Sequence, residues 1–316
     1  MNPELALLPP GSKIEIVAPA GKPKPGAESS EVLPNLIKSC EALGWQVKVD
    51  PDMLGDDLLC ANHEQARLTK LIAAFQREDT QAIWPLRGGY GCTPLLPALW
   101  DLPKPKHPKW LLGFSDITAL HILVQQRWQW RSLHSCSATQ FALQRVGAST
   151  RHGLQALLQG TNYYRLKLQP MNPVARQIRL LEAPTIGGTL TIVQTSLGTP
   201  WQLDASHKIL LLEEINEAAY RIDRMLNQLL QAGIFKQIKA LLLADYLIKG
   251  NADPDIESIL TQWSKKLDIP VLRLAQVGHG EENLAVPFGC CTQLQLGDNA
   301  ELIWRPGQES NLRPAP

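Results

Sequence analysis

The sequence predicts an α/β protein whose strands lie parallel in sheets covered by helices. Three observations carry that prediction. Short apolar runs of strand length alternate with longer segments whose apolar residues recur at helical spacing. Such alternation builds a parallel sheet with helices on both faces. Several apolar runs end in glycines or in chemically active side chains, at the strand ends where such sheets hold ligands. A chain of 316 residues, 44% hydrophobic and 19% charged, is long enough for two modest domains or one large one.

Ile14-Glu15-Ile16-Val17-Ala18 is the first strand, closed by Pro19-Ala20-Gly21, and the Lys/Pro/Gly segment 21–26 is a loop. Residues 27–43 form a helix with Val32, Leu36, Ile37, Cys40 and Leu43 on one side and Gly44 as its stop. Trp45, Val47 and Val49 alternate as a strand. Residues 62–76 give a second amphipathic helix, through Ala66, Leu68, Leu71, Ile72 and Phe75. The run 82–86 is a buried strand, with Pro85 interrupting its pairing near the end. Trp110-Leu111-Leu112-Gly113 runs into a sharp turn at Phe114-Ser115-Asp116, and Ile117, Leu120, Leu123 and Val124 set a helical period behind it. A helix over 150–159 closes the first half.

Residues 160–185 change character. Short strands at 163–168 and 177–182 surround Pro170, Asn172 and Pro173. A junction over 161–185 therefore separates a first domain, 1–160, from a second, 186–316. Gly187-Gly188-Thr189 leads into an apolar stretch at 190–197, and the α/β pattern restarts. Strands are expected at 208–212, 240–244 and 270–274, with helices at 217–232 and 254–266. Strands at 292–296 and 301–304 finish the fold, and the polar, proline-bearing tail 306–316 is expected to fray. There is no internal repeat.

The charge balance, 31 basic against 30 acidic residues for a net +1, leaves no electrostatic footprint for nucleic acid. The first residues lack the basic segment and the apolar length of a signal peptide. No apolar stretch approaches the roughly 20 residues of a membrane span. A cytoplasmic protein is expected. Six scattered cysteines, with no C-x-x-C and no histidine at ligand spacing, read as reduced residues rather than a metal site or disulfide framework.

The chemistry converges on strand ends. At Ser115 a strand-to-helix turn would expose a hydroxyl at its tip and aim the first helical N–H groups at the same point. A helix N-cap is the competing role for that serine, and Ile117 stands where the nucleophile-elbow pattern has its last glycine. Arg87-Gly88-Gly89-Tyr90-Gly91 lets backbone approach a ligand, as a tight turn or as an oxyanion hole facing Ser115. Its spacing is neither a dinucleotide fingerprint nor a P-loop, which disfavours a dinucleotide-binding oxidoreductase. His279, between Gly278 and Gly280 just past a strand, suits a general base, or simply a turn. Glu213, Glu214 and Glu217 crowd the end of strand 208–212. Glu213 stands nearest the strand end, Glu214 should face the opposite side of the sheet, and Glu217 falls in a helical first turn that favours an acid. Serine, carboxylate and histidine at separate strand ends follow the logic of a hydrolytic triad.

Four stretches together resemble the LD-carboxypeptidases, the serine peptidases that include murein tetrapeptide carboxypeptidase and the microcin C immunity peptidase. They are Arg87 to Gly91; Gly113-Phe114-Ser115-Asp116-Ile117-Thr118-Ala119-Leu120; Leu212-Glu213-Glu214-Ile215-Asn216-Glu217 through Tyr220-Arg221-Ile222-Asp223-Arg224-Met225-Leu226; and Gly278-His279-Gly280-Glu281 with Asn283. The resemblance implies Ser115 as nucleophile, Glu213 as acid and His279 as base, with oxyanion donors from Gly88, Gly89 and Asp116. It also implies an N-terminal domain like that of class I glutamine amidotransferases, a smaller C-terminal α/β domain, a homodimer, and no cofactor. The implied activity is removal of terminal D-alanine from a murein tetrapeptide in cell-wall recycling. Alternatives are an immunity-type peptidase cleaving a peptidyl-nucleotide antibiotic, and a catalytically silent muropeptide-binding protein. Arg87 is a candidate for the substrate carboxylate. The chain departs from the family pattern at His134-Ser135-Cys136 and Gly187-Gly188-Thr189, segments expected to line the substrate cleft.

Overall fold

Continuous apolar runs become the central strands because a helix-covered sheet is dry on both faces. The computed structural model describes residues 7–160, 164–250 and 253–304. Its strands begin with β1 (Lys13–Val17), β2 (Gln46–Val49), β3 (Ala82–Pro85), β4 (Trp110–Gly113), β5 (Ser132–His134), β6 (Tyr164–Lys167) and β7 (Gln169–Pro170). They continue with β8 (Leu180–Thr189), β9 (Ile209–Ile215), β10 (Ala240–Leu247) and β11 (Val271–Arg273). The last are β12 (Val286–Phe288), β13 (Cys291–Gln295) and β14 (Glu301–Trp304). The first helices are α1 (Ala27–Ala42), α2 (Glu64–Gln76), α3 (Leu96–Trp100), α4 (Thr118–Gln126), α5 (Ala138–Ala142) and α6 (Ala148–Gln159). The second half adds α7 (Leu190–Thr195), α8 (Ala219–Gln231) and α9 (Asp255–Lys266). The expected start of a strand at Tyr163 and the tail 306–316 lie outside the described residues.

The first sheet has the order β12-β5-β4-β3-β1-β2. β1 to β5 pair in parallel, so the turns after β1, β3, β4 and β5 all open on one edge. Pro85 ends β3 at its last paired residue, where losing a donor costs the ladder least. β12 pairs antiparallel with β5, Val286 opposite His134, and so carries the second half of the chain onto the first sheet.

The second half is α/β as the resemblance implies, but its sheet is not all parallel. It has eight strands in the order β6-β14-β13-β8-β9-β10-β11-β7 and is mixed and nearly barrel-shaped. β8 to β11 are parallel, whereas β13, β14, β6 and β7 run antiparallel at the flanks. The alternating burial of β13 explains the difference, because a strand dry on one face alone pairs in antiparallel meanders. Gly187-Gly188, which precedes the apolar stretch 190–197, lies inside β8 near its end. A Cβ on Gly187 would sit 1.9 Å from the Leu211 carbonyl oxygen, so glycine is what lets β8 lie against β9. One apolar cluster runs through both halves, from Val17 and Ile83 through Leu120 and Leu123 of α4 to Ile186, Leu210 and Leu241. The two sheets are thereby packed together around α4.

Candidate active site

β4 ends at Gly113, Phe114 is extended, and Ser115 has a φ of 61°, in the left-handed region that non-glycine residues rarely occupy. Backbone strain of this kind is retained only where packing enforces it, and here it lifts the hydroxyl off the strand end. The capping position of the following 3₁₀ turn, Ser115–Ile117, falls on Phe114, so Ser115 is not an N-cap. From residue 109 to 124 Ser115 alone is not buried. Gly88 presses against it: a Cβ on Gly88 would lie 2.9 Å from the Ser115 Cβ. Only glycine permits that approach. The Asp116 carboxylate is buried and accepts the Cys92 N–H at 2.8 Å, tying the glycine loop to the serine turn. Burial pushes that carboxyl above its usual value. The Asp116 N–H belongs to the first turn, whose donors lack intrahelical acceptors. A Cβ on Gly89 would meet Gly21 at 3.7 Å, and the Gly21 N–H donates to the Gly88 carbonyl at 3.0 Å.

β9 extends past the expected 208–212, so Glu213 and Glu214 both lie within it and point to opposite faces. Glu213 is fully buried, and its Oε2 accepts from Nδ1 of His279 at 2.7 Å. A carboxylate can only accept here, so Nδ1 carries the proton and Nε2 is left as the basic nitrogen. The hydroxyl of Thr189 donates to the other oxygen, Oε1. Burial alone would raise the Glu213 carboxyl, but its interactions with the His279 and His134 imidazoles outweigh it and hold it at about 2. Glu214 accepts the Thr191 N–H at 2.8 Å and hydroxyl at 2.7 Å, and Glu217 pairs with Arg221 at 3.3 Å. The His279 ring lies 4.7 Å, centroid to centroid, from the ring of Phe114, the residue before Ser115. Three strand ends therefore bring Ser115, Glu213 and His279 to one place.

Two further residues at the site, His134 and Thr189, are expected from the sequence only as parts of segments lining the cleft. His134 is buried with Nε2 3.9 Å from Glu213 Oε1, too long for a hydrogen bond, and neither of its ring nitrogens has a partner. Its ring is a polar neighbour of that carboxylate oxygen. Thr189 bridges the halves, because its N–H also donates to the Thr118 hydroxyl at 3.1 Å, just behind Ser115. Both segments expected to line the cleft, His134-Ser135-Cys136 and Gly187-Gly188-Thr189, are buried, and each sets one residue, His134 or Thr189, beside Glu213. Arg87 is not an isolated cation: its Nη1 donates to Glu28 at 3.1 Å.

The loop carrying His279 is pinned to the N-terminus of α6. Glu282 accepts the Thr150 N–H at 2.8 Å and the Thr150 hydroxyl, and that hydroxyl accepts the Asn283 N–H at 2.7 Å. Asn283 Oδ1 in turn accepts the Gly278 N–H at 3.0 Å. Thr150→Val removes the hydroxyl from this chain of bonds. It is expected to cost about 1–3 kcal/mol of stability and to lower kcat by up to about a hundredfold by letting the base drift. Thermal melts and steady-state kinetics check this, and an unchanged kcat would show that the anchor does not position His279.

Comparison with known proteins identifies the family. Residues 14–135 match the family model described as the LD-carboxypeptidase N-terminal domain, and residues 182–294 the LD-carboxypeptidase C-terminal domain. A Rickettsia conorii protein named as a carboxypeptidase by assignment is 32% identical over 299 residues, 92% of this chain and 90% of that one. The murein tetrapeptide carboxypeptidase of Pseudomonas aeruginosa is 28% identical over 293 residues, 89% of this chain and 92% of that one. The crystal structure of muramoyltetrapeptide carboxypeptidase from Oxalobacter formigenes aligns with a TM-score of 0.77 at 26% identity, covering 92% of this chain and 98% of that one. The microcin C7 self-immunity protein MccF shares the fold, with a TM-score of 0.76 at 16% identity over 98% of this chain and 99% of that one. With both domain models matched in order and near-complete coverage by relatives, the chain belongs to the LD-carboxypeptidase family.

Proposed function

We propose that this protein is a serine carboxypeptidase that cleaves an L,D-amide bond, releasing terminal D-alanine from a murein tetrapeptide in cell-wall recycling. The observation that carries the reading is the 2.7 Å bond from His279 Nδ1 to the fully buried Glu213, beside a serine held at positive φ. In this reading His279 Nε2 takes the Ser115 proton as the hydroxyl attacks the scissile carbonyl. Glu213 holds the tautomer and stabilises the imidazolium. Amides of the Gly88-Gly89 turn and of Asp116 bind the oxyanion. The His279 proton passes to the leaving amine, D-alanine departs, and water hydrolyses the acyl-enzyme by the reverse sequence. The names of the Pseudomonas and Oxalobacter relatives support the murein peptide as substrate. A homodimer working in the cytoplasm belongs to the same proposal; among the described residues no helix is long and apolar enough to cross a membrane.

The test is a panel of L,D- and D,D-terminated peptides, with an aminoacyl-sulfamoyl nucleotide as the competing substrate and released amino acid detected by mass. Release of D-alanine from L,D-peptides alone is expected. Turnover confined to the nucleotide would replace this reading with the immunity-type one, and no turnover or phosphonate labelling at Ser115 would mark a silent binding protein. Activity is also expected to survive EDTA, since the charge that develops is met by amides and no three His, Cys, Asp or Glu side chains among the described residues form a metal-binding group. Loss on chelation with recovery on adding zinc would contradict that.

A further inference from the structure

A second cluster of charges stands on the carboxyl edge of the first sheet, away from the Glu213–His279 pair. Glu28 lies in the first turn of α1, beyond β1; Arg87 follows β3; Arg145 follows α5, beyond β5. The Glu28 side chain is only 5% exposed, and accepts the Lys24 N–H at 2.9 Å, Arg87 Nη1 at 3.1 Å and, on its other oxygen, Arg145 Nη1. The two arginine side chains are 36% and 51% exposed. Burying a carboxylate requires one cation, and here there are two. The local sum of one negative and two positive charges leaves a positive charge uncompensated.

The geometry suits a bound anion. A guanidinium carries five N–H donors in a rigid fork that matches a carboxylate. Each arginine uses Nη1 on Glu28, which fixes both forks from beneath and lowers the entropy lost when a ligand is gripped. Burial alone would raise the Glu28 carboxyl, but the Lys24 amide and the two arginines outweigh it, so the anchor stays charged at neutral pH. Position matters as much. Arg87 immediately precedes Gly88, which packs on Ser115, and its Cδ lies 3.8 Å from where a Gly21 Cβ would be. α5 is joined to the end of β3 by the Thr139 N–H on the Leu86 carbonyl at 3.0 Å. The pair thus arises from β3 and β5, the two strands flanking the one that presents Ser115.

We propose that Arg87 and Arg145, held apart on the buried Glu28 carboxylate, form the subsite that binds a carboxylate of the peptide substrate. The inference rests on the serine carboxypeptidase reading, and adds to it Arg145 as a binding residue and Glu28 as the positioning residue beneath. Two sources offer that chemistry: the C-terminal carboxylate of the leaving residue, and carboxylates on the acyl side of the scissile bond.

Steady-state kinetics on three peptides separate these sources: the free L,D-tetrapeptide, its C-terminal amide, and a version with its acyl-side carboxylates amidated. Arg145→Gln is expected to lower kcat/KM on the free peptide about tenfold or more, mainly through KM, the worth of one charge-assisted hydrogen bond. The loss should shrink to less than about threefold on whichever amidated peptide lacks the carboxylate that is read. Arg145→Lys, which keeps the charge without the fork, should fall between, and it serves as the second variant if Arg145→Gln melts early. Losses of equal size on all three peptides, or none on any, overturn the subsite while leaving the peptidase intact. A wild-type enzyme that turns over none of the three overturns the peptidase reading and the subsite with it.

Discussion

Ser115→Ala is expected to abolish peptide hydrolysis while the protein folds and melts close to wild type. The expected loss is several orders of magnitude in kcat, as for removal of the nucleophile of any serine triad. Stability should change by no more than about 1 kcal/mol, because the hydroxyl is neither buried nor a cap. The left-handed φ is as strained for alanine as for serine, so the backbone gives no separate cause of loss. Two cysteines near the cleft offer the obvious alternative nucleophiles, and their environments argue against both. Cys92 is fully buried, and burial followed by the Asp116 charge pushes its thiol well above the usual range. Burial pushes Cys136 up to about 12. Neither supplies a thiolate at neutral pH. Cys92→Ser and Cys136→Ser should keep most of the activity, measured as D-alanine released against time. A Ser115→Ala enzyme that still turns over, with an unaltered melt, would end the serine mechanism.

The parts of the fold that were legible in the sequence are those decided by local burial. β4 and β9 announce themselves as unbroken apolar runs because both faces of each strand are covered. The opposite orientations of Glu213 and Glu214 follow from the two-residue period of a strand and nothing else. What stayed hidden depends on partners far away in the chain. β12 is three residues long and contains Pro287, and it exists because β5, some 150 residues earlier, offers an open edge. Gly187-Gly188 only leads into an apolar stretch in the sequence, yet it closes a strand in the fold, where it comes close to Leu211 and Thr118. Thr150 and Glu282 lie 132 positions apart, and nothing local marks either as the clasp of the His279 loop. Arg87 could be singled out beside its glycines, whereas Arg145 could not, since the carboxylate that joins them comes from a third element.

Glu213→Gln is expected to cut turnover by about a thousandfold or more, whereas Glu214→Gln and Glu217→Gln stay within roughly tenfold of wild type. The Thr189 hydroxyl donates to Oε1 and so favours oxygen at that position, which would turn the new amide toward His279 Nδ1. An N–H donor there forces Nδ1 to accept, moves the ring proton to Nε2, and removes the base from Ser115. Glu214 faces the other side of β9, where its bonds to Thr191 secure the start of α7, so its loss weakens the fold more than the chemistry. Glu217 makes an exposed i,i+4 pair of little energetic weight. A second readout separates the charge from the shape of Glu213. Its carboxyl is held at about 2 against an ordinary 4.5, so the folded state favours the ionised form. That contribution is complete above the ordinary value and disappears as pH falls through 4.5 toward 2. The gap in Tm between wild type and Glu213→Gln should therefore narrow over that window, and the Glu214→Gln protein should not share the pattern, since burial moves the Glu214 carboxyl the other way. An inactive Glu214→Gln enzyme beside a normal Glu213→Gln one would show that the acid facing His279 has been misidentified.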